Sequence, residues 1–107
     1  MPTVEVDLHI GAGPWLEDHF PGDALIPGAV LLDEISACLR AAVPEFGFLT
    51  RIPQARFLQP VRPPAVLRIR AQCTPGHAEF TAIDAATGAP AVRGTFRFAV
   101  SADVDST

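Results

Sequence analysis

The chain has 107 residues, about half of them apolar and 19% charged, with a formal net charge of −4. That length suits one domain around one core and leaves little room for a deep pocket within a single subunit. The acidic balance argues against a nucleic-acid surface and against binding to anionic membranes.

Val4, Val6, Leu8 and Ile10 alternate with Glu5, Asp7 and His9, the period-two pattern of a half-buried strand. Gly11 to Pro14 stops it. The segment from Trp15 to Gly28 is broken by Pro-Gly pairs and reads as structured loop. A helix is predicted from about Ala29 to Ala42, and Pro44 cannot continue it. Leu31, Ile35, Cys38, Leu39 and Ala42 fall on one stripe at helical spacing, with Val30, Ala37 and Ala41 as a small apolar flank. Only Asp33, Ser36 and Arg40 make a polar strip. A helix apolar over most of its circumference is covered on more than one side, so a second subunit or a wrapping sheet is expected.

Beyond the helix, Arg56-Phe57-Leu58 leads into Pro60 and an Arg62-Pro63-Pro64 turn. Leu67, Ile69, Ala71 and Cys73 then alternate with Arg68, Arg70 and Gln72. His77 to Asp84 follows Thr74-Pro75-Gly76, and Val92, Gly94, Phe96, Phe98 and Val100 alternate after Ala85 to Gly88. Strand, helix and then strands joined by tight turns predict an α+β domain, one helix on an antiparallel sheet, over residues 1–100. Residues 101–107 are polar and acidic and predict a frayed tail. No apolar run reaches membrane-spanning length, and the start lacks a signal-peptide pattern. A cytoplasmic protein is expected, with Cys38 and Cys73 as reduced, buried thiols.

The most informative stretch is His19-Phe20-Pro21-Gly22, followed by Ile26-Pro27-Gly28 and an apolar helix carrying Asp33. An imidazole titrates near neutrality, a helix N-terminus favours negative charge, and a carboxyl group can deliver a proton. Taken singly, each residue also has a plain alternative. His19 could pack or face solvent, Asp33 could complement the helix dipole, and Trp15 and Phe20 could belong to the core. His9 and His77 read as solvated, Glu34 as a surface acid and Cys38 as core.

This spacing resembles the β-hydroxyacyl-acyl-carrier-protein dehydratases of the hot-dog fold, in which an antiparallel sheet wraps one central helix. Ala55-Arg56-Phe57-Leu58-Gln59-Pro60-Val61 is similar to the family's "KFLRPV" strand, and Gly94 to Phe98 to its final strand, so the likeness covers most of the chain. The family's usual N-terminal segment has no counterpart before the first strand. Asp33 stands where the commoner branch has Glu, as in the isomerase-capable branch, and Ala37 stands where many members have Gln. Short members of this kind also resemble dehydratase components of aryl-polyene and polyketide pathways.

The resemblance implies a hydro-lyase that removes water from a 3-hydroxyacyl thioester in fatty-acid, polyketide or aryl-polyene synthesis. His19 would remove the C2 proton and the Gly28 N–H would hold the thioester oxyanion. Asp33, in its protonated form, would donate to the departing hydroxide. Trp15, Phe20 and Pro27 would line the acyl site. In such a family the histidine and the acid meet across a homodimer, or a higher oligomer of dimers. The substrate would arrive on the phosphopantetheine arm of an acyl carrier protein. Arg56 and Arg62, within the set Arg51, Arg56, Arg62, Arg68 and Arg70, are candidates for its docking patch. No metal, other cofactor or nucleic-acid partner is expected. Two rivals stand beside this reading: a non-catalytic hot-dog subunit or acyl-binding module, and an acyl thioesterase.

Overall fold

The computed structural model describes residues 3–11 and 25–100. Trp15, His19, Phe20 and the tail 101–107 lie outside the described residues. In chain order the elements are β1 (Thr3–Ile10), α1 (Gly28–Ala42), β2 (Phe46–Phe57), β3 (Ala65–Thr74), β4 (His77–Asp84) and β5 (Pro90–Val100). The strands form one antiparallel sheet in the order β1-β3-β4-β5-β2, and α1 lies on its inner face. This is the expected α+β, hot-dog arrangement.

Helix and sheet meet through the predicted stripe. Ile35 and Leu39 are fully buried against the inner-face side chains Leu67, Ile69 and Phe96, which are equally closed to solvent. Each such side chain contributes about 1.5–3 kcal/mol by leaving water. At three positions of α1 the structure differs from the pattern expected. Ser36 is buried, because its hydroxyl donates to Asp33 O at 2.9 Å and so needs no solvent. Ala42 is exposed and Cys38 only half-buried, since the sheet covers one side of the helix and no more. Ala29, Asp33, Ala37, Arg40 and Ala41 form an open face. At the C-terminus, Val43 takes an extended conformation and donates to Leu39 O at 2.9 Å before Pro44.

Strands β3, β4 and β5 follow their alternation closely, and the Pro75-Gly76 hairpin turn uses a positive φ of 70° that glycine adopts without strain. Strand β2 is longer than its sequence suggests. It has twelve residues and includes Pro53. Its register against β5 slips between Arg51 and Gln54, leaving Ile52 and Pro53 outside the ladder. A bulge on an edge strand is where a proline without an N–H is tolerated. Phe48, Ile52 and Phe57 of β2 remain exposed. Among the described residues, no helix is long and apolar enough to cross a membrane.

Candidate active site

Helix α1 begins without a cap. Pro27 occupies the N-cap position with no side-chain hydrogen bond, and the first turn holds no acid. The Leu31 N–H is bonded to Pro27 O at 3.0 Å, but among the described residues nothing accepts from the N–H groups of Gly28, Ala29 or Val30. These donors and the positive end of the helix dipole make a place for negative charge.

They open beside an apolar hollow of about 540 Å³ lined by Leu25, Ile26, Leu31, Phe57, Leu58 and Val61, among others. Two backbone bonds hold its walls. Ile26 N–H donates to Val61 O at 2.9 Å, and Leu58 N–H donates to Ala91 O at 2.8 Å. Phe57, at the end of β2, lays its ring over Gly28. A Cβ on Gly28 would stand 2.8 Å from Phe57 Cζ, closer than real side chains approach. Sequence reasoning placed Phe57 in a strand but not at the site. The Arg56-Phe57-Leu58 run before Pro60 was the available signal, and the 29-residue separation from Gly28 concealed the contact.

This contact yields a prediction. In Gly28→Ala the half-exposed Phe57 ring can swing away, and alanine is favoured in a helix by up to about 1 kcal/mol. The variant should fold with stability within about 1 kcal/mol of the native chain. Its methyl group and the displaced ring would crowd the free N–H groups. Any turnover that relies on these donors should therefore fall about tenfold or more, as when an oxyanion donor is compromised. Paired urea titration and steady-state kinetics would check it.

Asp33 lies in the second turn, beyond the reach of the dipole at the first. Helical geometry sets it opposite Leu31, Ile35 and Leu39, on the open face, and its carboxylate has no ion-pair partner among the described residues. The structure does not bring Asp33 to the hollow of its own chain, whose lining includes Gly28 and Leu31 instead. Pro27 is half-buried beside that lining.

Arg56 and Arg62 are both exposed but line separate hollows. Arg56 sits on the outer face of the sheet with Arg70 and Arg93. Arg62 borders a recess of about 640 Å³ with Gln59, Asp84 and Thr87. Arg68 and Arg70 are ion-paired to Asp7 and Glu5 of β1. His9 is exposed and His77 half-buried on the sheet. Burial pushes both thiols up from the ordinary cysteine value, with Asp7 and Glu34 adding to the effect at Cys38. Neither has the lowered value that activates a nucleophile, which fits the structural role expected of them.

Solved structures share the fold, among them the following two. An uncharacterised protein from Erwinia carotovora subsp. atroseptica superposes with a TM-score of 0.71 at 21% identity, covering 92% of this chain and 84% of its own. The dehydratase heterocomplex ApeI:P from Xenorhabdus doucetiae gives a TM-score of 0.66 at 20% identity, covering 87% and 85%. No curated protein matches the sequence. The ApeI dehydratase family model matches residues 3–95, a span that includes β1, the uncapped start of α1 and most of the sheet, and the chain therefore belongs to the ApeI-like dehydratase family.

Proposed function

We propose that the protein is a 3-hydroxyacyl-thioester dehydratase acting on carrier-bound substrates. The observation that carries this reading is the uncapped start of α1, whose free Gly28 N–H opens beside an apolar hollow sized for an acyl group. In the proposed reaction, neutral His19 takes the C2 proton and negative charge builds on the thioester oxygen, held by the Gly28 N–H. The charge returns to form the C2–C3 double bond, the C3–O bond breaks, and protonated Asp33 gives its proton to the departing hydroxide. The products are water and a trans-2-enoyl thioester. Proton exchange then resets His19 and Asp33, and the scheme uses no cofactor beyond the carrier's phosphopantetheine arm.

The open position of Asp33 supports a composite site, with His19 from one chain and Asp33 from the other. In support, β2 is a long edge strand whose outer side has no neighbour among the described residues, and it carries exposed Phe48 and Ile52. The helix face around Asp33 is lined by Ala29, Ala37 and Ala41, small enough for close approach. A second copy laid along β2 would cover both surfaces, and pairing through a two-fold axis would make two equivalent sites. Mass spectrometry of a 3-hydroxyacyl-carrier-protein substrate should show loss of water with the purified chain alone. Hydrolysis of thioesters lacking a 3-hydroxyl group would instead point to a thioesterase.

One observation favours a second reading. The Xenorhabdus doucetiae neighbour is a dehydratase heterocomplex, and the bare β2 edge of this chain would accept a different hot-dog subunit as readily as a second copy. In that case turnover would appear only after a partner protein is added.

A further inference from the structure

The outer face of the sheet divides into a neutralised half and an uncompensated one. On β3, Arg68 and Arg70 each pair with an acid of β1. On the β5–β2 side, Arg93 stands directly opposite Arg56, and Arg97 opposite Arg51. All four are exposed, and none has an ion-pair partner among the described residues. Like charges set directly across two strands destabilise the pairing, and this occurs twice within five residues of β5. Gln54 and Thr95 fill the row between the two pairs. Glu79 of β4, beside Thr95, comes within ion-pair distance of none of the four. The Arg56–Arg93 pair borders a concave saddle of about 460 Å³ shared with Arg70, Glu79 and Thr81.

We propose that this arginine strip, Arg51, Arg56, Arg93 and Arg97, is the docking surface for an acidic helix of a partner protein. The dimensions match. Four residues of strand place the two arginine pairs about 13 Å apart, and carboxylates at positions i and i+8 of a helix are about 12 Å apart. A helix laid along β5 thus meets both pairs with carboxylates on one face, while the neutral Gln54–Thr95 row faces its middle. The chain is acidic overall, so the strip is a local patch that steers one kind of partner. Resting on the proposed function, the partner is the acyl carrier protein. The strip adds Arg93 and Arg97 to the docking set and removes Arg68 and Arg70, whose charges are already matched. Strand pairing along β2 would leave this face open, because side chains stand perpendicular to the sheet.

The test is calorimetric titration of the full chain with a holo-acyl carrier protein at 50 and 300 mM NaCl. Native binding should weaken with salt. In Arg93→Glu/Arg97→Glu, and separately in the milder Arg51→Gln/Arg56→Gln, Kd should rise at least tenfold, with circular dichroism confirming the fold. Arg68→Glu should stay within about twofold, since exposed ion pairs such as Arg68–Asp7 add little. Absence of salt-sensitive binding, an unchanged Kd in both double variants, or an equal loss in Arg68→Glu would overturn the proposal. So would arginine-dependent binding of a duplex DNA probe in place of the carrier. Turnover of a small N-acetylcysteamine 3-hydroxyacyl thioester by the native chain reports on the dehydratase reading separately. Arginine-dependent carrier binding without such turnover would leave docking standing and overturn the reading of the chain as a dehydratase that acts alone, and turnover without arginine-dependent binding would do the reverse.

Discussion

His19→Ala should lower the rate of water elimination by about a hundred- to ten-thousandfold while leaving the fold intact, the range expected when a general base is removed. The size of the loss separates the rival functions. A thioesterase would assign this histidine no clear task and would hydrolyse its substrate at an unchanged rate, and a binding subunit would show no turnover to lose. The same variant also tests the composite site when it is mixed with Asp33→Asn. In a heterodimer of the two inactive chains, one site combines both lesions and the other combines His19 from one chain with Asp33 from its partner. Random exchange makes about half of the dimers mixed, so about a quarter of native activity should return. If both groups acted within one chain, no activity would return. The mixing experiment thus reads the partnership of His19 and Asp33 directly, through kinetics alone.

Phe96→Ala should be the most damaging change in the sheet. The side chain is fully buried on β5, the strand between β4 and β2. Its ring stacks on Phe80 at 4.6 Å between centroids and meets Phe98 edge-on at 5.8 Å. Phe98 in turn stacks on Phe46 at 4.3 Å, so the aromatic row reaches the start of β2. Removing the central ring opens a cavity in a row that links three strands. Such truncations destabilise by about 3–5 kcal/mol, against a total of about 5–15 kcal/mol for a domain of this kind. At about 4–8 °C per kcal/mol, the melting temperature should fall by at least about 12 °C. Thermal melting followed by circular dichroism measures it. A fall of only a few degrees would mean that the sheet closes over the cavity.

How much of this was legible in the sequence depended on the range of the interactions involved. Strands β3, β4 and β5 alternate cleanly because their inner face meets α1 and their outer face meets water, and that contrast is written residue by residue. The helix was equally legible, since Ile35 and Leu39 repeat at helical spacing and Pro44 ends it. The approach to β2 was not. Between Phe46 and Ala55 the strand lies at an edge, is bulged around Ile52 and Pro53, and leaves most of its side chains exposed, so alternation gives no signal there.

The chemistry divides in the same way. The resemblance carried by His19, Gly28 and Asp33 implied a dehydratase, in keeping with the family match over residues 3–95, and it was legible because those three residues fall within one local segment. Where side chains separated along the chain would meet was decided only by the tertiary structure. The ring of Phe57 reaches Gly28 because β2 returns beneath the start of the helix. Arg56 and Arg62, six residues apart, part company into different hollows because the strand ends between them. The acids of β1 neutralise Arg68 and Arg70 but leave Arg93 and Arg97 without an ion-pair partner among the described residues, because the sheet places β1 beside β3 and three strands from β5. Periodicity and local motifs are properties of neighbouring residues and survive in one dimension; strand order, and with it which charges are matched, depends on long-range pairing that no local pattern records.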